Sequence, residues 1–149
     1  TEMITAWVAL DDVDSDNGCM SMVAGSHRWG DRIDFLHSLK DPAGISDFDQ
    51  RRMLDVIPGS FAGEAIRAVP RPVRAGHVHF HHSLTWHGSH ANRSGRPRRA
   101  LAIHLMSHRA CYDPNTSHIL KPVIPVAPGA KLEGPHFPVT WMTPGPADR

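Results

Sequence analysis

Thirteen prolines and twelve glycines are scattered along the 149 residues, and this punctuation constrains the fold more than any other feature of the chain. Proline removes a backbone donor and clashes with the preceding helical turn, while glycine raises the entropic cost of holding one. A chain interrupted this often has little room for long helices, and a strand-rich fold fits better. Met3 to Leu10 and Cys19 to Ala24 read as strands, and the acidic turn Asp11 to Gly18 between them suggests a hairpin. Four later segments, Ala65–Val69, His77–His81, Leu84–His87 and Arg99–Met106, are each bounded by Pro, Gly, Ser or Asn. Their even spacing favours a sandwich, barrel or jelly roll. Helix is expected only within 31–55, as two short pieces around Ile33, Phe35 and Leu36 and around Phe48, Met53 and Leu54.

No repeat or linker divides the chain, so residues 1–149 read as one domain, with an extended proline-rich tail over 122–149. The chain opens on Thr1, already inside a strand and without a cap, which reads as a piece of a longer chain. Sixteen Lys and Arg balance fifteen Asp and Glu, so no overall field favours nucleic acid. No apolar run reaches the roughly 18 residues that span a bilayer, and no membrane association is expected. Cys19 and Cys111 stand alone, in neither a disulfide framework nor a thiolate zinc site, and a reducing cytoplasm is the expected compartment.

Twelve histidines are an excess, and six of them, His77, His79, His81, His82, His87 and His90, lie close together. Metal chemistry is therefore a live hypothesis. Asp12 to Gly18 superficially matches a calcium loop, but Gly18 falls one position late and Val23 stands where a bidentate glutamate is needed. An ordinary Asx-rich turn is the better reading. His77-Val78-His79-Phe80-His81 could be a cupin metal strand, yet no glutamate occurs between Glu64 and Glu133. Hydrogen-bonded strand histidines remain the alternative.

The stretch from Leu84 to Ala102 carries more. His87 and Ser89 are two apart, so on an extended backbone they face the same way, and the Asn-Arg-Ser-Gly turn returns the chain toward a neighbouring strand beginning near Arg98. Arg98, Ala100 and Ala102 then share one face, whose small alanines leave a cavity, while Leu101, Ile103 and Leu105 are expected to fill the other. A planar guanidinium at such a cavity suits a carboxylate, which it can hold by two parallel hydrogen bonds. Arg93, Arg96 and Arg99 read instead as surface arginines making ion pairs.

Three blocks in order resemble the phytanoyl-CoA dioxygenase family of iron(II)- and 2-oxoglutarate-dependent oxygenases. They are Ile4 to Asp12 through Asn17-Gly18-Cys19 to Gly25-Ser26-His27, then Ala75-Gly76 through His87-Gly88-Ser89 and Asn92-Arg93-Ser94 to Arg98, and last Phe137 to Trp141. The resemblance implies an all-β fold with short helices, a double-stranded β-helix or jelly roll, incomplete at its N-terminus. It implies that His87 is the distal iron ligand, that Arg98 holds the far carboxylate of 2-oxoglutarate, and that Trp7 and Ser89 also contact this co-substrate. The implied cofactors are Fe(II) and 2-oxoglutarate, and the implied reaction uses O2 to hydroxylate an unactivated C–H of a small organic substrate. The family's other two ligands form a His-x-Asp pair upstream of the Trp7 strand, and no His-x-Asp or His-x-Glu occurs in this sequence. Alternatives are a non-catalytic His-rich jelly-roll module binding a metal or a carboxylate, and a cupin isomerase.

Overall fold

The computed structural model describes residues 3–39, 54, 57–115 and 120–142. Among the described residues eight strands run in chain order: β1 (Met3–Ala9), β2 (Met20–Val23), β3 (Ser60–Phe61), β4 (Glu64–Ala65), β5 (Ala68–Pro70), β6 (Val78–His82), β7 (His87–Ser89) and β8 (Ala100–Met106). They form two three-stranded sheets, ordered β6-β1-β8 and β5-β2-β7, and a small β3-β4 pair. Among the described residues no helix is long and apolar enough to cross a membrane. The chain divides into two compact units, Met3–Leu105 and Met106–Arg149.

In the first unit, β1 and β2 do not form the expected hairpin: each is the central strand of a different sheet. All four residues of β2 are buried, with β5 on one edge and β7 on the other, so neither edge is open to β1. The loop 10–19 instead crosses the ~10 Å between packed sheets. Val13 pins it midway by exchanging backbone bonds of 2.8 and 2.9 Å with Val73. Alternation then places Trp7 and Ala9 of β1 against Met20 and Met22 of β2, with Val13 and Cys19 closing the core. A second cluster gathers Val23, Trp29, Leu36 and Trp86.

Among the described residues the region expected to be helical gives the short helix α1 (Ile33–Ser38), and Leu54 is helical too. The second, around Phe48 and Met53, lies outside the described residues except for Leu54. The strand expected at Leu84–His87 is displaced to His87–Ser89, because the chain turns after β6. Thr85 N–H donates to the His82 carbonyl at 2.9 Å, and Leu84 N–H donates to His82 Nδ1 at 3.1 Å. Nor is β8 a sheet neighbour of β7, since the chain between them crosses to the β1 sheet.

On β8 the inner face carries Ala100, which packs on the core, and His104, whose Nδ1 lies 2.9 Å from Thr5 Oγ1. The opposite face is not filled as expected: Leu101 and Ile103 are 53% and 41% exposed. With Ile4, Val78 and Phe80 they make the outer, solvent-facing side of this sheet. Two-fold alternation requires that result, because residues that share a strand with inward alanines at every second position must point away from the intersheet space.

In the second unit the proline-rich stretch is not wholly extended. Tyr112 N–H donates to the Ala130 carbonyl at 2.8 Å and Leu132 N–H to the Ala110 carbonyl at 2.9 Å, pairing Cys111 with Lys131. A 3-10 turn covers Lys121–Val123, with proline in its first turn, where the missing donor costs nothing.

Candidate functional site

The intersheet space holds the residues with chemical potential. In the β1–β6 register Trp7 stands opposite His79 and Thr5 opposite His81, so these four share the inner face and meet as cross-strand neighbours. The Trp7 and His79 rings stack at 5.3 Å with planes 21° apart. His79 lies 5.4 Å from His81, and His81 lies 4.9 Å from His87, ring to ring. At the other end the Arg98 guanidinium carbon sits 5.9 Å from the Trp7 ring centre, a cation–π separation. The result is a continuous row, Arg98–Trp7–His79–His81–His87, that begins beside one sheet and ends on the other.

His87 reaches this row because β7 pairs with β2, placing His87 opposite Met22 and Ser89 opposite Met20. The residue before it is fastened by Ser26, which is fully buried. Ser26 Oγ accepts the Trp86 N–H and donates to the Val23 carbonyl, both at 2.8 Å. His87 Nδ1 lies 2.8 Å from the Thr85 carbonyl oxygen. A carbonyl can only accept, so Nδ1 carries the proton, and in the neutral ring Nε2 is left with its lone pair.

Arg98 owes its place to the acidic turn. Asn17, fully buried, donates from Nδ2 to the carbonyls of Asp12 at 2.8 Å and Pro97 at 3.3 Å, tying the chain just before Arg98 to the 10–19 loop. Gly18 allows the close approach: its φ is +84°, and a Cβ there would lie 2.7 Å from the His90 carbonyl oxygen. The flanking arginines pair as expected, Arg96 with Asp14 at 2.8 Å and Arg99 with Asp11 at 2.7 Å. Arg99 hydrogen bonds hold the Asp11 carboxyl at about 2, well below its usual range. Arg93 gives its backbone N–H to the Asp16 carbonyl. Arg98 has no carboxylate partner among the described residues.

The carboxylate of Asp14 accepts the N–H groups of Asp16 and Asn17 besides Arg96, as in an Asx turn. Ser89 is not joined to the row by any hydrogen bond of its hydroxyl among the described residues. The row contains two residues that the sequence did not single out as site residues, His79 and His81. Both nitrogens of His79 and Nδ1 of His81 are buried without a hydrogen-bond partner. Burial, then the neighbouring His87, lowers the pKa of both rings, His81 to about 4, so they are neutral near pH 7. The His-x-His alternation on one strand was the signal that could have found them.

Metal chemistry finds one prepared position here, His87 Nε2. Among the described residues no group of three or more His, Cys, Asp or Glu side chains is placed to hold a metal ion. These residues therefore fit one corner of a metal site and a carboxylate-binding end, not a whole ligand set.

The phytanoyl-CoA dioxygenase (PhyH) family model matches residues 1–100. The chain belongs to the phytanoyl-CoA dioxygenase family. Within it, the chain is 36% identical over 106 residues to phytanoyl-CoA dioxygenase domain-containing protein 1 of Bos taurus, covering 67% of this chain and 32% of that protein. It is 32% identical over 100 residues to the Danio rerio protein of the same name, with the same shares covered. The chain thus spans about a third of the length of these relatives. Among solved structures it is similar to the non-heme alpha ketoglutarate dependent carbocyclase SnoK, with TM-score 0.61 and 35% identity over 91% of this chain and 47% of that one. It is also similar to the epimerase SnoN in complex with Fe3+, alpha ketoglutarate and nogalamycin RO, with TM-score 0.56 and 30% identity over 92% of this chain and 50% of that one. The two-sheet architecture is the jelly roll of these solved alpha ketoglutarate dependent neighbours.

Proposed function

We propose that this chain supplies the 2-oxoglutarate-binding side and the distal metal ligand of an iron(II)- and 2-oxoglutarate-dependent dioxygenase that hydroxylates an unactivated C–H of a small organic substrate. The observation that carries this reading is the row from Arg98 across Trp7 to His87, with a guanidinium free of carboxylate partners among the described residues at one end and an imidazole lone pair at the other. Arg98 grips the far carboxylate of 2-oxoglutarate through two parallel hydrogen bonds, and the Trp7 ring beneath holds the guanidinium in plane. Ser89, on the His87 strand, lies within the same reading as a further contact to the co-substrate.

His87 offers Nε2 to iron(II), its ring oriented by the Thr85 carbonyl, and Ser26 keeps the strand in register. The other two ligands are a His-x-Asp pair supplied from upstream of Trp7. Bound iron(II), with O2 and 2-oxoglutarate, supplies the oxidising equivalents for C–H chemistry. The chain itself positions the co-substrate and keeps bulk water away from the reacting centre through Ala100, Met20 and Met22.

The test is 2-oxoglutarate affinity by calorimetry under anaerobic iron(II), in protein that includes the upstream pair. Losing two charge-assisted hydrogen bonds at about 1.5 kcal/mol each, Arg98→Met weakens binding roughly 100-fold. Unchanged affinity refutes the assignment. One observation favours a second reading, a non-catalytic metal-binding module: the unpartnered nitrogens of His79 and His81. Stoichiometric nickel(II) binding that is indifferent to 2-oxoglutarate, with no turnover, selects that reading.

A further inference from the structure

A second cation lines a cleft beside the histidine row, and neither the metal corner nor the co-substrate end uses it. Arg71 follows β5, its backbone N–H donating to the Met20 carbonyl at 2.8 Å. Val73, two residues on, packs against the core of Trp7 and Met22. Arg71 lines a cleft of about 520 Å³ together with His27, His79, His81 and His82, a size that suits a small organic ligand. Among the described residues no aspartate or glutamate lines this cleft, and its remaining walls include Met22 and Val73. Arg98 and Trp7 lie outside that lining.

The polar groups of the cleft need partners. No carboxylate among the described residues pairs with Arg71. The buried nitrogens of His79 and His81 that lack a hydrogen-bond partner belong to rings that line the cleft. Buried polar atoms in a folded protein are satisfied by protein, water or ligand, and an arginine beside N–H donors with no acidic counterpart suits oxygen anions. We propose that the cleft binds the organic substrate through an anionic oxygen group, a carboxylate or a phosphate ester, with Arg71 as its anchor and the apolar wall holding the carbon chain. The inference rests on the proposed function only in that it takes the occupant of the cleft to be the substrate, because His81 joins the cleft to His87.

Calorimetric titration of the chain with hexanoate, hexyl phosphate and hexanol tests it, with and without saturating 2-oxoglutarate. One or both anions should bind at least roughly tenfold more tightly than hexanol, the value of a charge-assisted contact. Whichever anion is preferred names the source of the anionic group. Arg71→Met should abolish the preference while leaving hexanol binding unchanged, and Arg71→Lys should restore part of it, with folding of both variants verified by circular dichroism. Equal binding of hexanol and the anions overturns the proposal. So does a preference that survives Arg71→Met, or displacement of the anion by 2-oxoglutarate, which would give the cleft to the co-substrate. Failure of 2-oxoglutarate to bind the protein that includes the upstream pair under anaerobic iron(II), with the Arg71-dependent preference intact, defeats the oxygenase reading and leaves the anion site standing.

Discussion

Asn17 is fully buried, and its side chain is the fastening between the 10–19 loop and the segment that carries Arg98. Its Oδ1 accepts the Asp14 N–H at 2.8 Å, and its Nδ2 donates to the Asp12 carbonyl at 2.8 Å and to the Pro97 carbonyl at 3.3 Å. Alanine removes all three bonds and leaves their backbone partners without that amide. At about 1 kcal/mol each, Asn17→Ala costs about 3 kcal/mol. Asn17→Asp separates hydrogen bonding from side-chain volume: it keeps an acceptor for Asp14 but turns a carboxylate oxygen toward two carbonyls, so it should destabilise at least as much as alanine at pH 7. Urea unfolding followed by circular dichroism reads both, and with a slope of about 2 kcal/mol/M the Asn17→Ala midpoint falls by about 1.5 M. The same variant should weaken 2-oxoglutarate binding, since Pro97 immediately precedes Arg98. A loss below about 0.5 kcal/mol for Asn17→Ala, against the expected per-bond value, refutes the reasoning; so does finding the Asn17→Asp protein more stable than the Asn17→Ala protein.

Trp86, 4% exposed, meets Trp29 at 4.9 Å and Phe61 at 5.0 Å. Trp86→Ala should cost about 3–5 kcal/mol in the same urea assay. His81 sets a pH dependence. Burial lowers its pKa from 6.5 to about 4, so in that window the unfolded chain binds more protons than the folded one, and stability falls as pH drops from 6.5 toward 4. His81→Phe should flatten that part of the urea-midpoint profile, and an unaltered profile contradicts the assignment. Asp11, held at about 2 by Arg99 against an ordinary value of 3.8, adds a separate loss as pH falls from about 4 to 2, which Arg99→Met should reduce to the share held by the backbone N–H of residue 99.

Alternation of side chains made β1, β2, β6 and β8 legible in the sequence, and the His87 and Arg98 spacing pointed to the two ends of the row. Alternation assigns faces but not partners. That is why β1 and β2, adjacent in sequence and joined by a turn-rich loop, read as a hairpin although both edges of β2 were taken by distant strands. The same limit hid the solvent-facing side of β8, where apolar Leu101 and Ile103 look like core residues until their sheet is placed. His79 and His81 were visible as a pattern, yet their significance depends on Trp7 and His87 closing around them from other strands. Arg71 carried no local signal at all. Its place in the cleft follows from β5 pairing with β2, a contact between segments far apart in the chain.

The most direct measurement is succinate release with iron(II) and 2-oxoglutarate by the protein extended upstream through its first His-x-Asp pair, alongside its His87→Ala and Arg98→Met variants. The account predicts turnover in the extended protein, none with His87→Ala, and with Arg98→Met turnover that returns only at roughly 100-fold higher 2-oxoglutarate, the factor expected for two lost charge-assisted bonds. Near-normal succinate release by the His87→Ala protein, or no release by a correctly folded extended protein, contradicts it.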